Sequence, residues 1–434
     1  MPSAMVENID SISKACAYGD LEKLKGFVEE DPGCVSRPDE SGYYPLQWAA
    51  LNNRAQEASF LLAQHANVNA ADHTGQTALH WGAVRGSLPV IEALLRSGAD
   101  AGAKDNRGYT VAHVAAQYGQ TAVLYHLALK WGVDVDARDN DGRSPLHWAA
   151  YKGYADPIRL LLVLDASYSA ADKEGCTPLH WAAIKGNGEA CTVLLQGGAS
   201  SVLGAKDVTG STPAQLAVEK GHRYLGMHLA EHKQKQEGGG WLSKSSKLAW
   251  ITSTQLCPII WLIIFGLVAV FCHKVMPSGA SPIIKLLSWS VVGTSSLGCF
   301  FLYKTTTSDP GIIPTGWEAG SSKARDKNLA RALSPKDHSK HQLLGNGHHY
   351  PRGLDSPALW AGSWGQLCVS CRIVRPLRAK HCSVLGRCVE VFDHYCPWVG
   401  NVVGKGNRHW FLVFLWLELW ALVVSASVGF VQIR

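Results

Sequence analysis

The amino-acid sequence predicts a mainly α-helical protein, in which a repeat solenoid precedes membrane-spanning helices and a small cysteine-rich domain. Three observations support this fold class. The first half of the 434-residue chain contains six near-copies of one motif. The second half contains long uncharged apolar runs. Five of the twelve cysteines lie between Cys368 and Cys396, which predicts metal or thiol chemistry in that part of the chain.

The overall composition excludes some other classes of protein. The formal net charge of +6 is modest and gives no indication of nucleic-acid binding. Twelve cysteines are few for a disulfide scaffold of this size. The N-terminus has no apolar segment of the kind that opens a secretory signal peptide. We therefore expect the first part of the chain to remain in the reducing cytosol.

The repeated motif is typified by DKEGCTPLHWAA, which begins at Asp172. Its glycine permits a turn, its Thr-Pro pair starts a helix, and its small alanines let helices approach closely. A degenerate first copy is expected near Asp10. The period and the TPLHxAA signature resemble ankyrin repeats, which implies a stacked solenoid of about seven units. The glycines recur at steps of 33, 33, 34, 33 and 35 residues, at Gly42, Gly75, Gly108, Gly142, Gly175 and Gly210.

Two other residue types recur with the same period. The regular spacing of the histidines favours structural hydrogen bonds over metal ligation. The tryptophans are interpreted as core between repeats; alternatively, they form an aromatic strip that binds substrate peptides. Near the two ends, Gln47 and Gln215 replace the histidine, which is typical of capping repeats. The residues concerned are His80, His113, His147 and His180, and Trp48, Trp81, Trp148 and Trp181.

Three apolar segments follow the repeats. Residues 248–272 and 286–303 carry no charge and are predicted to cross a membrane. Lysines and arginines precede the first segment and follow the second, so both flanks are expected to face the cytosol. Residues 410–433 form a third predicted span. Glu418 interrupts it, and an intramembrane carboxylate is a candidate functional residue unless it lies near water or is neutral.

The sequence Asp393-His394-Tyr395-Cys396 places a carboxylate, an imidazole and a thiol within four residues. Only the thiolate of a cysteine is a good nucleophile, and a nearby histidine can take its proton. An acidic neighbour can orient that histidine. We therefore assign Cys396 as the candidate nucleophile, His394 as its base and Asp393 as the orienting group.

The surrounding pattern resembles the cysteine-rich domain of the DHHC family of protein S-acyltransferases, or palmitoyltransferases. It resembles most closely the ankyrin-repeat members of plants, although its motif reads DHYC. The resemblance implies that Cys396 takes a long-chain acyl group such as palmitoyl from acyl-CoA, as a thioester, and passes it to cysteines of protein substrates. The ankyrin repeats would recruit those substrates. The matching positions run from the CVSC sequence at Cys368 through Arg375-Pro376, His381, Asn401, Gly404 and Asn407 to Phe411.

The resemblance also implies two zinc sites in the cysteine-rich domain. The first is matched by Cys368, Cys371, His381 and Cys388, a set typical of tetrahedral structural zinc. The second retains only Cys382, because Leu385, Tyr395 and Val402 occupy its other positions. We therefore expect one structural zinc ion per chain.

The resemblance implies a multi-pass protein of the Golgi, another endomembrane or the plasma membrane, with the repeats and the catalytic domain in the cytosol. A fourth span and a TTxE motif are typical of the family and do not follow residue 433, so we expect the chain to be a fragment. The alternative function is a membrane-anchored ankyrin adaptor with an inactive, truncated acyltransferase domain. The predicted organisation is ankyrin repeats in 1–231, a linker in 232–247, two spans in 248–303, a partly disordered cytosolic linker in 304–365, the cysteine-rich domain in 366–409 and a third span in 410–433.

Overall fold

The structure is a computed structural model that describes residues 9–237, 257–275, 281–315, 354, 356–397 and 399–433. The chain divides into two compact units. The first contains Met1–Gln236 and Leu354–Val369, and the second contains Glu237–Gly353 and Ser370–Arg434. The linker predicted at 232–247 and the beginning of the span predicted at 248–272 lie largely outside the described residues.

The first unit contains seven pairs of antiparallel helices, as expected for ankyrin repeats. Within each pair the first helix contacts the first helices of neighbouring repeats. The pairs are α1 Ile12–Tyr18 and α2 Leu21–Glu30, α3 Pro45–Leu51 and α4 Ala55–Ala63, α5 Ala78–Arg85 and α6 Leu88–Arg96, α7 Val111–Gln117 and α8 Thr121–Trp131, α9 Pro145–Lys152 and α10 Ala155–Val163, α11 Pro178–Ile184 and α12 Gly188–Gln196, and α13 Pro213–Glu219 and α14 Arg223–Glu237.

The repeat histidines bind backbone groups within the array. Nδ1 of His80 accepts a hydrogen bond from the backbone N–H of Thr77, which caps helix α5. Its Nε2 lies 3.0 Å from the carbonyl oxygen of Tyr109 in the next repeat. Because Nδ1 accepts, Nε2 carries the proton and donates. His113 and His147 make the corresponding bonds. The predicted structural role is thereby confirmed for His80, His113 and His147. His180 accepts from the N–H of Thr177, but its buried Nε2 has no hydrogen-bond partner among the described residues.

The repeat tryptophans are half-buried, so their interpretation as core between repeats is confirmed only in part. Their rings do pack between repeats, as that of Trp81 does against Tyr43 with centroids 5.6 Å apart. The indole N–H of Trp81 donates to the carboxylate of Asp72 at 2.9 Å, and Trp181 bonds Asp172 in the same way. These bonds hold each indole ring beside the loop that precedes the helix of that repeat. The ring remains partly exposed to solvent there. The guanidinium of Arg143 lies 5.0 Å from the Trp181 ring, which adds a cation–π contact.

The described residues of the second unit form three apolar helices. They are α15 Cys257–Val270, which continues as a π-helix over Phe271–Val275, α16 Pro282–Thr307 and α18 Arg408–Ile433. Helix α16 packs along α18. Their shared core is formed by Phe271, Val291, Ala421, Val424 and Val428. Helices α16 and α18 are both long and apolar enough to cross a membrane.

The cysteine-rich region consists of short elements. Helix α17, Pro357–Trp360, a 3-10 turn at Trp364–Gln366 and strand β1, Leu367–Cys368, come first. Strand β3 pairs antiparallel with β4, and β5 pairs antiparallel with β6. The remaining strands are β2 Ile373–Val374, β3 Lys380–Cys382, β4 Arg387–Val389, β5 His394–Cys396 and β6 Asn401–Val403.

Candidate active site and metal centre

Cys396 lies at the end of strand β5, in a hairpin with β6. The register pairs His394 with Val403 and Cys396 with Asn401. Side chains alternate along a strand, so His394 and Cys396 project to the same side of β5 and Tyr395 projects to the other. Burial increases along the strand, from the exposed His394 to Cys396, which is 6% exposed.

The thiol of Cys396 belongs to an apolar cluster at the ends of the three long helices. Leu302 contributes from α16 and Phe414 from α18, and both are buried. Val399 and Val403 complete the buried part of the cluster from the hairpin itself. Partly buried residues add further hydrocarbon around it, namely Ile264, Phe301 and Phe411. The cysteine thus lies beside apolar helix surface that could accommodate a hydrocarbon chain.

The other two members of the predicted catalytic set are near the hairpin surface. Nδ1 of His394 lies 3.5 Å from a carboxylate oxygen of Asp393, and both side chains are substantially exposed. The imidazole packs edge-on against Phe411, with ring centroids 5.8 Å apart. Within the described residues no hydrogen bond joins His394 to Cys396. The structure therefore brings Asp393 and His394 together and places Cys396 on the same strand.

Two asparagines attach the hairpin to the end of helix α16. The amide of Asn401 donates to the carbonyl oxygens of Thr305, Thr306 and Ser308, at 3.1–3.2 Å. Asn407 is fully buried and donates to Thr305 and to Val402. The last carbonyls of a helix have no partner within the helix, so these amides satisfy groups that would otherwise be orphaned. In the sequence both asparagines are only matches to the family pattern, and nothing there indicates this role.

A tight turn after α16 supports the same hairpin. The carboxylate of Asp309 accepts hydrogen bonds from the backbone N–H groups of Gly311 and Ile312. Gly404 and Gly406 lie directly against this turn. A Cβ atom at Gly404 would lie 2.4 Å from the carbonyl oxygen of Pro310, which is too close for any side chain.

The four predicted metal ligands converge. The ligand atoms of Cys368, Cys371, His381 and Cys388 all lie within 4.8 Å of one another, and the three cysteines are buried. His381 and Cys388 are directly paired across strands β3 and β4. Zinc binds cysteine sulfur at about 2.3 Å and prefers four sulfur or imidazole nitrogen ligands in a tetrahedron. This set of three cysteines and one histidine therefore fits a structural zinc ion.

The positions of the second predicted site converge, but Cys382 is the one retained ligand among them. Cys382 and Val402 are buried in one apolar cluster with Val389, and Leu385 and Tyr395 pack against it. The side chains that replace three potential ligands therefore form a small hydrophobic core.

Glu418 lies on α18 opposite helix α16. A Cβ atom added at Gly298 would lie 2.4 Å from its Oε1, so the carboxyl group occupies the space that this glycine leaves. The Oε1 atom is buried and has no hydrogen-bond partner among the described residues.

Comparison with known proteins agrees with this architecture. A family model described as DHHC palmitoyltransferase matches residues 363–434, and a model of ankyrin repeats matches residues 12–105, 83–172 and 161–237. A probable protein S-acyltransferase of Arabidopsis thaliana, number 23, is 41% identical over 94% of this chain and 72% of its own length. The chain belongs to the DHHC palmitoyltransferase family.

Other relatives extend this similarity. The palmitoyltransferase ZDHHC17 of Danio rerio is 29% identical over 94% of this chain and 69% of its own length. The crystal structure of the human ASB11 ankyrin repeat domain is 26% identical, covers 50% of this chain and 96% of its own, and has a TM-score of 0.45. The predicted family and fold class are confirmed. This DHHC-family chain is a protein S-acyltransferase with ankyrin repeats, and its apolar helices indicate a membrane protein.

Proposed function

We propose that this chain transfers a long-chain acyl group, typically palmitoyl, from acyl-CoA to protein cysteines through a thioester on Cys396. The observation that supports this proposal is the position of Cys396. Its thiol is buried against Leu302 and Phe414, at the ends of two apolar helices, while His394 two residues earlier is exposed. A hydrocarbon chain attached there can lie in apolar surroundings while polar groups remain in water.

The first step forms the thioester. His394 takes the proton of the Cys396 thiol, and Asp393 favours the resulting imidazolium, from 3.5 Å away. The thiolate attacks the carbonyl carbon of acyl-CoA, the bond to the CoA sulfur breaks, and the departing CoA thiolate takes the proton back from His394. In the second step a substrate cysteine thiolate attacks the acyl carbonyl, and Cys396 leaves as a thiolate.

Zinc bound by Cys368, Cys371, His381 and Cys388 would cross-link the chain around strands β3 and β4. It takes no part in either chemical step. Its contribution is to the fold that positions the hairpin.

We further propose that the repeats recruit substrates through the half-buried tryptophan strip. The strip combines aromatic faces with two cations, because Arg143 lies over Trp181 and Lys185 lies 4.6 Å from the ring of Tyr151. Such a surface suits a segment with apolar and acidic side chains, and tethering raises the local substrate concentration. We also propose that the chain is a multi-pass protein of the Golgi, another endomembrane or the plasma membrane.

The catalytic proposal is tested by labelling the purified protein with alkynyl palmitoyl-CoA in detergent. We expect a hydroxylamine-sensitive label that Cys396→Ser abolishes. Cys382→Ser is the matched control, since Cys382 is an equally buried cysteine of the same domain outside the metal cluster. Absence of label from the unaltered protein would favour the alternative, a membrane-anchored ankyrin adaptor with an inactive domain. Label that persists in Cys396→Ser would overturn the assignment.

Recruitment is tested by Trp148→Val, because Val114 occupies the same repeat position and shows that the framework accepts valine there. We expect Cys396 labelling to be unchanged and transfer to native protein substrates to fall. Tyr224→Val, which removes an 83% exposed aromatic ring, is the control. Unchanged transfer by Trp148→Val would contradict recruitment through the strip.

A further inference from the structure

One side chain of the ankyrin array is buried where its counterparts are not. Six residues occupy the position 17 residues after the repeat glycine, on the second helix of each repeat. Five of them are exposed or half-buried, whereas Tyr125 on α8 is 1% exposed. Something outside the repeats must therefore cover this tyrosine. The six are Ser59, Glu92, Tyr125, Arg159, Thr192 and Met227.

The cover is supplied by Leu354 and residues 356–369, which together we call the docking segment. The hydroxyl of Tyr125 donates a hydrogen bond to the carbonyl oxygen of Leu354. The Tyr125 ring packs edge-on against Trp360 and Trp364, with centroids 4.8 and 5.3 Å away. Leu359 is completely buried. This contact combines aromatic packing with a satisfied polar group, which is typical of a specific interface.

The neighbouring helix α10 receives the rest of the docking segment. Val163 on α10 is completely buried, while Arg96 and Gln196 at the same repeat position are exposed. Helix α10 contacts both the turn at Trp364–Gln366 and strand β1. Val369 reaches Gly197 closely enough that a Cβ atom there would lie 3.1 Å from its Cγ1. The docking segment therefore follows the surface of three repeats as far as its last residue.

This path ends at the metal centre. Leu367, Cys368 and Val369 are all buried, and Cys368 is the first of the four converging metal ligands. A metal ligand on a free chain must be ordered when the ion binds, which weakens binding, whereas a ligand already held in place avoids that cost. Cys368 is held in place by the folded array, so its ordering adds no such cost to metal binding.

We propose that the ankyrin array positions Cys368 for metal binding, with Tyr125 as the positioning residue. The repeats are thus part of the scaffold of the metal centre as well as a recruitment module. This inference requires zinc at the four-residue cluster but does not depend on acyl transfer. It predicts that removal of the repeats would weaken the metal centre.

The test compares zinc release from full-length variants in detergent, measured with a chromogenic chelator. Weakening of groups that orient a metal ligand typically costs about 10- to 100-fold in affinity, so Tyr125→Ala should release zinc at least about tenfold faster. Tyr125→Phe keeps the ring and should have a smaller effect. Met227→Ala removes a large side chain at the same repeat position, where it is 66% exposed, and should leave zinc release unchanged.

A second variant and a second measurement keep the test decisive. Trp364→Ala alters the docking segment and leaves the repeat sequence intact, so it should reproduce the faster release even if Tyr125→Ala disturbs α8. Hydrogen exchange should increase in residues 356–369 of both variants. Faster exchange with unchanged zinc release would overturn the proposal, and so would unchanged exchange. Absence of zinc from the unaltered protein would instead contradict the metal site itself.

Discussion

The side-chain amide of Asn407 donates a hydrogen bond to the carbonyl oxygen of Thr305, 3.1 Å away. This bond joins the start of helix α18 to the end of helix α16. The same amide reaches the carbonyl of Val402 at 2.8 Å, and its own oxygen accepts from the N–H of Gly404 at 2.9 Å. One buried residue thus satisfies three backbone groups where two helices and the Cys396 hairpin meet.

Asn407→Ala should therefore destabilise the second unit and reduce acylation of Cys396. The carbonyl of Thr305 keeps its bond from Asn401, whereas Val402 and Gly404 lose the bonds that Asn407 makes with them. Each buried backbone group left without a partner costs about 1–3 kcal/mol, so we expect a loss of several kcal/mol in unfolding free energy. Thermal unfolding in detergent and palmitoyl-CoA labelling measure the two effects. Ser427→Ala is the control, because Ser427 is an exposed residue of the same helix. Equal thermal stability of the two variants would show that Asn407 does not have this role.

Gly404→Ala should also impair the hairpin, by steric overlap. The added methyl group would lie 2.4 Å from the carbonyl oxygen of Pro310 and 2.7 Å from Val389, so the turn after α16 must move. Gly429→Ala places the same methyl group in open space on α18. We expect labelling of Cys396 to fall at least about tenfold in the first variant, since small displacements of reacting groups can cost about 100-fold. Equal labelling of both variants would contradict the close packing.

The ankyrin array should lose stability on acidification, and His147 should account for part of the loss. Burial lowers the pKa of His147 to about 4 from the ordinary value of 6.5. The unfolded chain binds a proton at higher pH than the folded chain, so the stabilisation present above pH 6.5 is lost as the pH falls towards 4. A shift of this size corresponds to about 3 kcal/mol.

His147→Gln provides the matched comparison, because glutamine occupies the same position in other repeats. Gln47 accepts from the N–H of Tyr44 and donates to the carbonyl of Gln76, as the histidines do with their partners. The variant should keep these bonds and show a shallower loss of thermal stability between pH 7 and pH 5. An unaltered pH profile would mean that His147 titrates equally in both states.

The purified protein should contain one zinc ion per chain. The donor set Cys368, Cys371, His381 and Cys388 is complete, whereas Cys382 has no second ligand beside it in the described structure. Elemental analysis should give one zinc for the unaltered protein and for Cys382→Ser, and none for His381→Ala. Two ions per chain, or loss of zinc from Cys382→Ser, would show that the second site still binds metal.

The repeat architecture could be predicted from the sequence because each unit is specified locally. The glycine, the capping threonine and the histidine lie within a few residues of one another, so one motif determines one helix start. The family could be predicted because its motif spacing is equally local. The roles of Asp393, His394 and Cys396 remain predictions.

The docking of Leu354 and residues 356–369 could not be predicted in the same way. Tyr125 and Trp364 are far apart in the sequence, and neither has a periodic partner that would indicate contact. The one available signal was the tyrosine itself, at a position where the other repeats have serine, threonine, methionine or a charged residue. The sequence left open whether the tryptophans form core or an aromatic strip, because their bonds to Asp72 and its counterparts decide which way the rings face.

The cysteine-rich domain is held together in two chemically different ways. Four ligands can bind a metal ion at one site, and a hydrophobic core occupies the positions of the second predicted metal site. Tyr395 and Val402 face each other across strands β5 and β6, so the hairpin bearing Cys396 is closed by hydrocarbon contacts. Chelators remove thiolate-bound zinc but have no target in such a core, whose thiol, Cys382, lies outside the metal cluster. Metal starvation would therefore first loosen strands β3 and β4, while the strand that carries the nucleophile keeps its own support.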